Sequence, residues 1–285
     1  MPQSLDELID LLDLEEIEIG LFRARQPDTQ LQRAFGGQVL AQALVAAART
    51  VPASRVLHSL HAYFLRPGRI DIPIVYDVET IRDGRSFSSR RVVARQGGAV
   101  IFYLSSSFHE AETGFEHADP VPDDVPGPDE SPRLGEVLSK VSGRSAALWE
   151  REWGVLDVRY VGDSRSGENL ADPRHPARAR VWVRVEGGLP EDPRLHQAAL
   201  AYASDLTLLS ATTVPHNVFI GINVQGTSLD HAMWFHRPFR ADDWLLYDQV
   251  SPSASGGLGL ATARLFQHRT LVANVAQEGL IRPTT

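Results

Sequence analysis

The chain has 285 residues and a formal net charge of −8, with 28 Lys+Arg, 36 Asp+Glu and no cysteine. At roughly 150 residues per domain this length suggests two domains, and the hydrophobic content of 43% is enough for a sizeable core. Without cysteine the chain has no disulfide, no cysteine-ligated zinc and no thiolate nucleophile. Because Lys140 is the only lysine, a P-loop lysine is excluded as well.

The N-terminal region is acidic and begins with Ser4-Leu5-Asp6-Glu7, which is typical of a helix cap followed by first-turn acids. It lacks the basic start and the uninterrupted apolar stretch of a signal peptide. No run of about 18 apolar residues occurs, so we predict no membrane insertion. We expect a cytoplasmic protein.

The first half of the chain contains one long apolar stretch and four strand-like segments. Residues 35–51 are rich in alanine and predict a helix, with Gly36-Gly37 at its start. Four segments with rough period-two alternation follow, separated by turn sequences such as Arg66-Pro67-Gly68. These predicted strands are 56–65, 71–80, 86–95 and 99–109.

An acidic, proline-rich segment separates the two halves. Residues 110–132 contain eight acids, five prolines and neither Lys nor Arg. Prolines at this density disfavour helix and sheet ladders, and like charges extend a chain, so we predict a linker. Its eight charges equal the net charge of the whole chain, so the exclusion of nucleic acid depends on the absence of a basic patch and of binding motifs rather than on net charge.

The second half repeats the order of the first. Segments 158–162 and 179–185 predict strands, and 196–213 predicts a helix. Four further strands are predicted at 227–235, 244–251, 258–267 and 271–277. A shift of 171 residues superposes the strand-rich parts of the halves. The matched pairs include Phe64 with Phe235, Pro67 with Pro238, Tyr76 with Tyr247 and Gln96 with Gln267.

This duplication predicts the fold. A helix that is apolar nearly all round must be covered on most sides, and the antiparallel strands after it are long enough to do so. Two such units joined edge to edge form one continuous sheet around two central helices, an α+β architecture known as the double hot-dog. We therefore divide the chain into an N-terminal repeat (1–109), the linker (110–132) and a C-terminal repeat (133–285).

Several unusual segments between residues 35 and 279 resemble the bacterial acyl-CoA thioesterase II (TesB type) family in the family's order. They are FGGQ at 35–38, HSLHAYFLRPG at 58–68, YDVET at 76–80, RDGRSF at 82–87, YASD at 202–205, DHAMWFHRP at 230–238 and VAQEG at 275–279.

The resemblance implies a double hot-dog fold and hydrolysis of acyl-CoA to free fatty acid and CoA. The family holds its attacking water with an Asp, a Ser or Thr, and a Gln, and these roles map onto Asp205, Ser228 and Gln277. We predict neither a cofactor nor a metal ion. The expected partner is the acyl-CoA substrate, and we expect a homo-oligomer, a dimer or tetramer of double hot-dog chains.

Apart from the resemblance, Asp205 gives the strongest signal of these three residues. Its helical neighbours at three and four positions, such as Ala201 and Leu208, predict that its carboxylate projects from an apolar face. Burial there is costly without partners, so the carboxylate is either catalytic or satisfied by groups such as the Ser204 hydroxyl. Ser228 at a strand start and Gln277 at a strand end are by themselves ordinary polar residues of strand termini.

For the substrate carbonyl we predict backbone N–H groups at the start of the first long helix, around Gly37. The glycine pair permits close backbone approach, and the helix directs its positive end toward the site. The alternative is a flexible helix entry.

Other polar residues are weaker candidates for a site. Four histidines on or next to predicted strands lack accompanying metal ligands; they are His58, His61, His231 and His236. Two of them, His61 and His231, are typical of core or interface residues. No Gly-x-Ser-x-Gly elbow and no dinucleotide-binding fingerprint is present. Arginines suit phosphate groups, and Arg66, Arg85 and Arg237 are candidates, but the sequence singles out no phosphate site.

Two other functions fit the sequence less well. A hot-dog enoyl-CoA hydratase is expected to have a His a few residues after its acid, whereas the first His after Asp205 is His216, eleven positions on. An acyl-CoA-binding module with decayed catalytic residues is disfavoured because all three family positions are present. The preferred acyl chain length does not follow from the sequence.

Overall fold

The computed structural model describes residues 1–123, 125–165, 170 and 177–284, which contain five α-helices and thirteen β-strands. The helices are α1 (Leu5–Leu12), α2 (Gly36–Arg49), α3 (Leu134–Val141), α4 (Gly143–Glu152) and α5 (Pro193–Ser204). The strands are β1 (Glu15–Glu18), β2 (Leu21–Ala24), β3 (Arg55–Phe64), β4 (Ile74–Asp83), β5 (Phe87–Gln96), β6 (Ala99–Glu110), β7 (Leu156–Asp163), β8 (Arg178–Val185), β9 (Val224–Ser228), β10 (Asp230–Phe235), β11 (Leu245–Ser255), β12 (Leu258–Gln267) and β13 (Thr270–Pro283).

The two long helices α2 and α5 form the centre of the molecule. Their small, alanine-rich side chains are buried along most of each helix, as expected for helices that are apolar nearly all round. The helices pack antiparallel, because Arg194 at the start of α5 donates from Nη1 to the carbonyl of Ala48 near the end of α2, at 2.9 Å. The helix predicted at 35–51 is confirmed.

One antiparallel sheet wraps around both helices. The strand order is β1-β2-β4-β5-β6-β3-β10-β13-β12-β11-β8-β7, with β9 paired to β13. Corresponding strands of the two repeats occupy equivalent places when the order is followed inward from either end. For example, β5 and β12 correspond to each other, and both their first and their last residues are 171 positions apart. The halves join where β3 pairs with β10, with Leu60 opposite Met233. The predicted double hot-dog fold is confirmed.

Three predicted elements around the site are wrong in their bounds. The α-helix predicted at 196–213 ends at Ser204, and a 3₁₀ segment follows at Leu208–His216. The predicted strand 227–235 is interrupted at Leu229, so Ser228 ends β9 rather than starting a strand. The last strand continues to Pro283, so Gln277 lies within it. Sequence reasoning also missed β1, β2, α3 and α4.

Beyond Glu110, which ends β6, the described residues of the acidic segment contain no strand and a single 3₁₀ turn, at Pro128–Glu130. It contacts the outer surface of the sheet, where Trp182 Nε1 donates to the Pro126 carbonyl at 2.8 Å and Val121 packs against a small apolar cluster. One of its eight acids, Asp124, lies outside the described residues. The domain boundaries at residues 109 and 132 stay a prediction.

In the part of the chain that the structure describes, no helix is both long enough and apolar enough to cross a membrane.

Candidate active site

Asp205 is the C-terminal cap of α5, and its carboxylate is buried at the wall of a cavity beside the helices. The α-helix ends here, so Asp205 is not mid-helix as the sequence predicts. The three residues before it, which include Tyr202 and Ser204, are buried in the helix pair. The end of α5 thus holds a carboxylate in place between the two helices.

Ser228 and Gln277 come together on Asp205 from two paired strands. Ser228 Oγ donates to Asp205 Oδ1 at 3.0 Å, and Gln277 Nε2 donates to the same oxygen and, at 2.9 Å, to Ser228 Oγ. Ser228 ends β9 opposite Gly279 of β13, two residues beyond Gln277, so both side chains project toward the end of α5. Asp205, Ser228 and Gln277, which the resemblance assigns to one site, therefore form one hydrogen-bonded cluster.

The second carboxylate oxygen of Asp205 faces the start of α2. A methyl group on Gly36 would lie 2.5 Å from Asp205 Oδ2, so only glycine leaves room for the carboxylate. The backbone N–H of Gly37 lowers the pKa of this carboxyl. The positive end of α2 therefore lies against Asp205, and it stabilises the ionised form. Gly37 belongs to the site through Asp205, while its role toward a substrate carbonyl stays a prediction.

Burial dominates the protonation behaviour of Asp205. Desolvation raises the pKa of its carboxyl to about 6, although hydrogen bonds from Gln277, Ser228 and the Gly37 N–H lower it. A carboxylate with a pKa near neutrality is ionised above pH 6 and still basic enough to accept a proton. Perturbed carboxylates in clefts are candidates for general acid–base chemistry.

His231 lies behind the cluster and was not assigned to the site from the sequence. Its Nδ1 lies 3.9 Å from Asp205 Oδ1, and its Nε2 hydrogen-bonds with Ser204 Oγ at 2.9 Å. The ring is fully buried, which lowers the pKa of His231 to about 3 and keeps it neutral. The alternation of β10 predicts its burial, as the sequence analysis expected, but only the fold brings it to Asp205.

The cavity beside Asp205 has a volume of about 880 Å³. Its inner wall is apolar and includes Phe35, Phe64 and Leu209, and Ser228 lines it next to Asp205. Gln277 is buried and reaches the cavity only through the other two residues. One outer wall is helix α4, an element that the sequence analysis did not predict. The cavity offers an apolar chamber with one acid–base group at its wall.

The three arginines that the sequence offers as candidates for phosphate binding do not lie at one place in the structure. Arg66 lines the cavity, whereas Arg85 and Arg237 do not. Among the described residues, no three His, Cys, Asp or Glu side chains come together as metal ligands would. The absence of a metal stays a prediction.

Two antiparallel helices inside a duplicated sheet, with a buried carboxylate of raised pKa between them, define a double hot-dog protein. A solved hot-dog protein from Alicyclobacillus acidocaldarius superposes with a TM-score of 0.78 at 21% identity, covering 98% of this chain and 99% of that one. This likeness supports the fold alone.

Closer relatives identify the family. Residues 165–280 match the acyl-CoA thioesterase family, and residues 25–109 match the acyl-CoA thioesterase N-terminal domain. Acyl-CoA thioesterase 2 of Haemophilus influenzae is 38% identical over 289 residues, 99% of each chain. The structure of an acyl-CoA thioesterase II from Mycobacterium marinum superposes with a TM-score of 0.84 at 44% identity, covering 98% of this chain and 99% of that one. The chain belongs to the acyl-CoA thioesterase II family, and it is an enzyme of the thioester hydrolase class.

The raised pKa of Asp205 predicts a pH-dependent cost of keeping the site folded. The pKa of Asp205 is about 6 in the folded protein, whereas its ordinary value is 3.8. The protonated carboxyl therefore contributes its full stability to the folded protein below pH 4, and this contribution is lost as the pH rises through 6. Asp205→Asn is expected to remove this loss. The free energy of unfolding of the variant minus that of wild type should therefore be larger at pH 8 than at pH 4 by about 3 kcal/mol.

Denaturant unfolding of both proteins at pH 4 and pH 8 measures this difference. Asp10→Asn, on the exposed side of α1, is the control for loss of one negative charge. A difference between Asp205→Asn and wild type that does not change with pH would contradict the prediction.

Proposed function

We propose that the protein hydrolyses acyl-CoA thioesters to free fatty acid and CoA by direct attack of a water molecule held by Asp205, Ser228 and Gln277. The single observation that carries this proposal is the convergence of two side-chain donors on one oxygen of a buried carboxylate at the cavity wall. Membership of the thioesterase family supports the reaction, and the cluster supports these residues as the ones that perform it.

The cluster suits activation of water. Asp205, ionised above pH 6, accepts a proton from the water, and the oxygen then bonds to the thioester carbonyl carbon. Collapse of the tetrahedral intermediate breaks the C–S bond, and the departing thiolate takes the proton back from Asp205. Gln277 acts on this water through Asp205 and Ser228, because its Nε2 donates to both of them. No covalent enzyme intermediate is needed.

Positioning and carbonyl polarisation supply the rest of the rate enhancement. The N–H groups at the start of α2, around Gly36 and Gly37, lie beside Asp205 and carry the positive end of the helix. We propose this helix start as the site that stabilises the developing oxyanion. The apolar wall that includes Phe64 and Leu209 receives the acyl chain.

His231 bears on the hydratase alternative because it lies near Asp205 in space, although far from it in sequence. Its ring is fully buried and is not among the residues that line the cavity. Burial keeps its pKa near 3, so it is not charged at neutral pH. These observations favour hydrolysis with Asp205 alone as the acid–base group.

Substitutions in the cluster test the proposal. Asp205→Asn, Ser228→Ala and Gln277→Ala are expected to remain folded, and Asp205→Asn should lower kcat by about 10²–10⁴-fold, the contribution typical of a general base. Release of CoA from palmitoyl-CoA is followed with a thiol-reactive dye, and the absence of cysteine removes the protein background. Ser228→Thr keeps the hydroxyl and is the matched control. Full activity in any of the three variants would exclude that residue.

The pH profile provides an independent check. If Asp205 acts as the base, kcat/KM should rise with pH through an apparent pKa of about 6 and then level off. Hydrolysis of the same substrate between pH 4.5 and 8, in buffers of constant ionic strength, measures the profile. A rate that falls as pH rises through 6 would show that the protonated carboxyl is the active form.

We also propose a homo-oligomer. The outer face of the sheet at the β6–β3–β10 junction exposes aromatic side chains in contact with each other. Tyr63 stacks on Tyr103 with ring centroids 5.4 Å apart, and His61 meets Trp234 edge-on at 5.3 Å. Tyr63 and Trp234 are 49% and 36% exposed, and contiguous exposed aromatic surface is typical of an interface.

Sedimentation velocity tests this proposal. Wild type is expected to sediment as a multiple of the 31.4 kDa chain, and Tyr63→Glu combined with Trp234→Glu should shift it toward the monomer because the charges would be buried at the interface. Phe115→Glu, at an isolated and fully exposed position of the acidic segment, is the control. A monomeric wild type would overturn the proposal.

A further inference from the structure

The net charge of the residues that line the cavity is positive, whereas the net charge of the whole chain is negative. Acids outnumber basic residues in the sequence, yet the cavity is lined by four arginines and only one acid, Asp205. The arginines are exposed, whereas Asp205 is buried, so the positive charge lies at the mouth and the reactive carboxylate at the inner wall. They are Arg33, Arg66, Arg144 and Arg151.

Two of these arginines lie on one face of α4. Arg144, Ala147, Leu148 and Arg151 all line the cavity, and their spacing of three, four and seven residues defines a single helix face. The two arginines are two turns apart, about 10 Å along the helix axis. This face therefore presents positive charge at both of its ends and apolar groups between them.

Helix α4 is fixed beside the segment that leads into α2. The buried Glu152 at its end accepts hydrogen bonds from Thr29 Oγ1 at 2.6 Å and from the Gln30 N–H at 2.8 Å. The next residue, Trp153, packs edge-on against Phe35 with ring centroids 5.8 Å apart. Because residues 30–36 also line the cavity, these contacts hold the arginine face across from Arg33.

The arginine charges are largely uncompensated. Within the described part of the chain, Arg33 and Arg144 have no ion pair, and Arg66 donates only to the Val100 carbonyl at 2.6 Å. Arg151 lies 3.8 Å from Glu152 Oε1, but both oxygens of that carboxylate already accept other hydrogen bonds. Unneutralised guanidinium groups that converge on one cavity mouth favour an anionic ligand.

We infer that these four arginines bind the phosphate groups of CoA, with the α4 face as the wall along which the CoA half of the substrate lies. The inference rests on the proposed function and adds to it the residues that recognise the leaving group. A guanidinium group matches phosphate geometry with two parallel hydrogen bonds, and the thioester end then reaches Asp205 at the inner wall. Arg85, a candidate from the sequence, does not line the cavity and has no part in this subsite.

Two substrates distinguish a role of these arginines in phosphate binding from a role in the chemical step. Acyl-CoA and the corresponding acyl-pantetheine share the thioester and the acyl chain, but the pantetheine ester lacks the phosphates. Arg144→Ala combined with Arg151→Ala should raise KM for acyl-CoA about tenfold with little change in kcat, a modest loss because the charges are solvent-exposed. The KM of the same variant for acyl-pantetheine should stay near that of wild type. Arg85→Ala is the matched control and should match wild type on both substrates.

Two further measurements sharpen the outcome. Replacement of both arginines by Lys keeps the charge and should recover part of the KM, and added salt should raise the KM of wild type for acyl-CoA but not for acyl-pantetheine. Equal losses on the two substrates, or no loss on acyl-CoA, would overturn the inference. A wild-type protein that hydrolyses neither substrate would instead refute the proposed function.

Discussion

The burial of the Asp205 carboxylate between two helix ends is the constraint on which the site depends. An ionised carboxylate away from water is costly unless donors surround it, and here they come from β9, from β13 and from the start of α2. The donors meet only because α2 and α5 run antiparallel, so that the end of one lies at the start of the other. That arrangement in turn needs one sheet that closes around both helices.

Duplication of the fold does not duplicate the site. The offset of 171 residues places Leu57 and Ser106 at the positions of Ser228 and Gln277, so the N-terminal half has no hydroxyl at the first position and no amide at the second. At the end of α2 the buried Arg90 donates from Nε to Thr50 Oγ1 at 2.9 Å, where α5 has a carboxylate. A cation at a helix C-terminus is stabilising. The end of α2 therefore carries a stabilising cation, whereas the end of α5 carries the carboxylate proposed to be catalytic.

The sequence predicts the sheet well because its signals are local. Period-two alternation and turn residues predict β5 and β12 to within one residue, and the repeat predicts that the two strands occupy equivalent places in the two halves. The cluster around Asp205 came from the family resemblance, since nothing local relates residues 205, 228 and 277. The end of α5 and the contact with His231 depend on tertiary packing. Helix α4 was missed because it is short and polar, and its one apolar stripe has meaning only beside the cavity.

The distribution of charge is compatible with the polyanionic substrate proposed for this acidic chain. None of the described residues of segment 110–132 lines the cavity, and some of its acids lie near arginines elsewhere: Asp119 is 3.1 Å from Arg264, and Glu116 is 3.9 Å from Arg237. The Debye length is about 8 Å at physiological ionic strength, so exposed acids farther than this from the cavity contribute little to its electrostatic field. A substrate therefore meets the local field of the mouth arginines, and net charge is a poor guide to the partner of this chain.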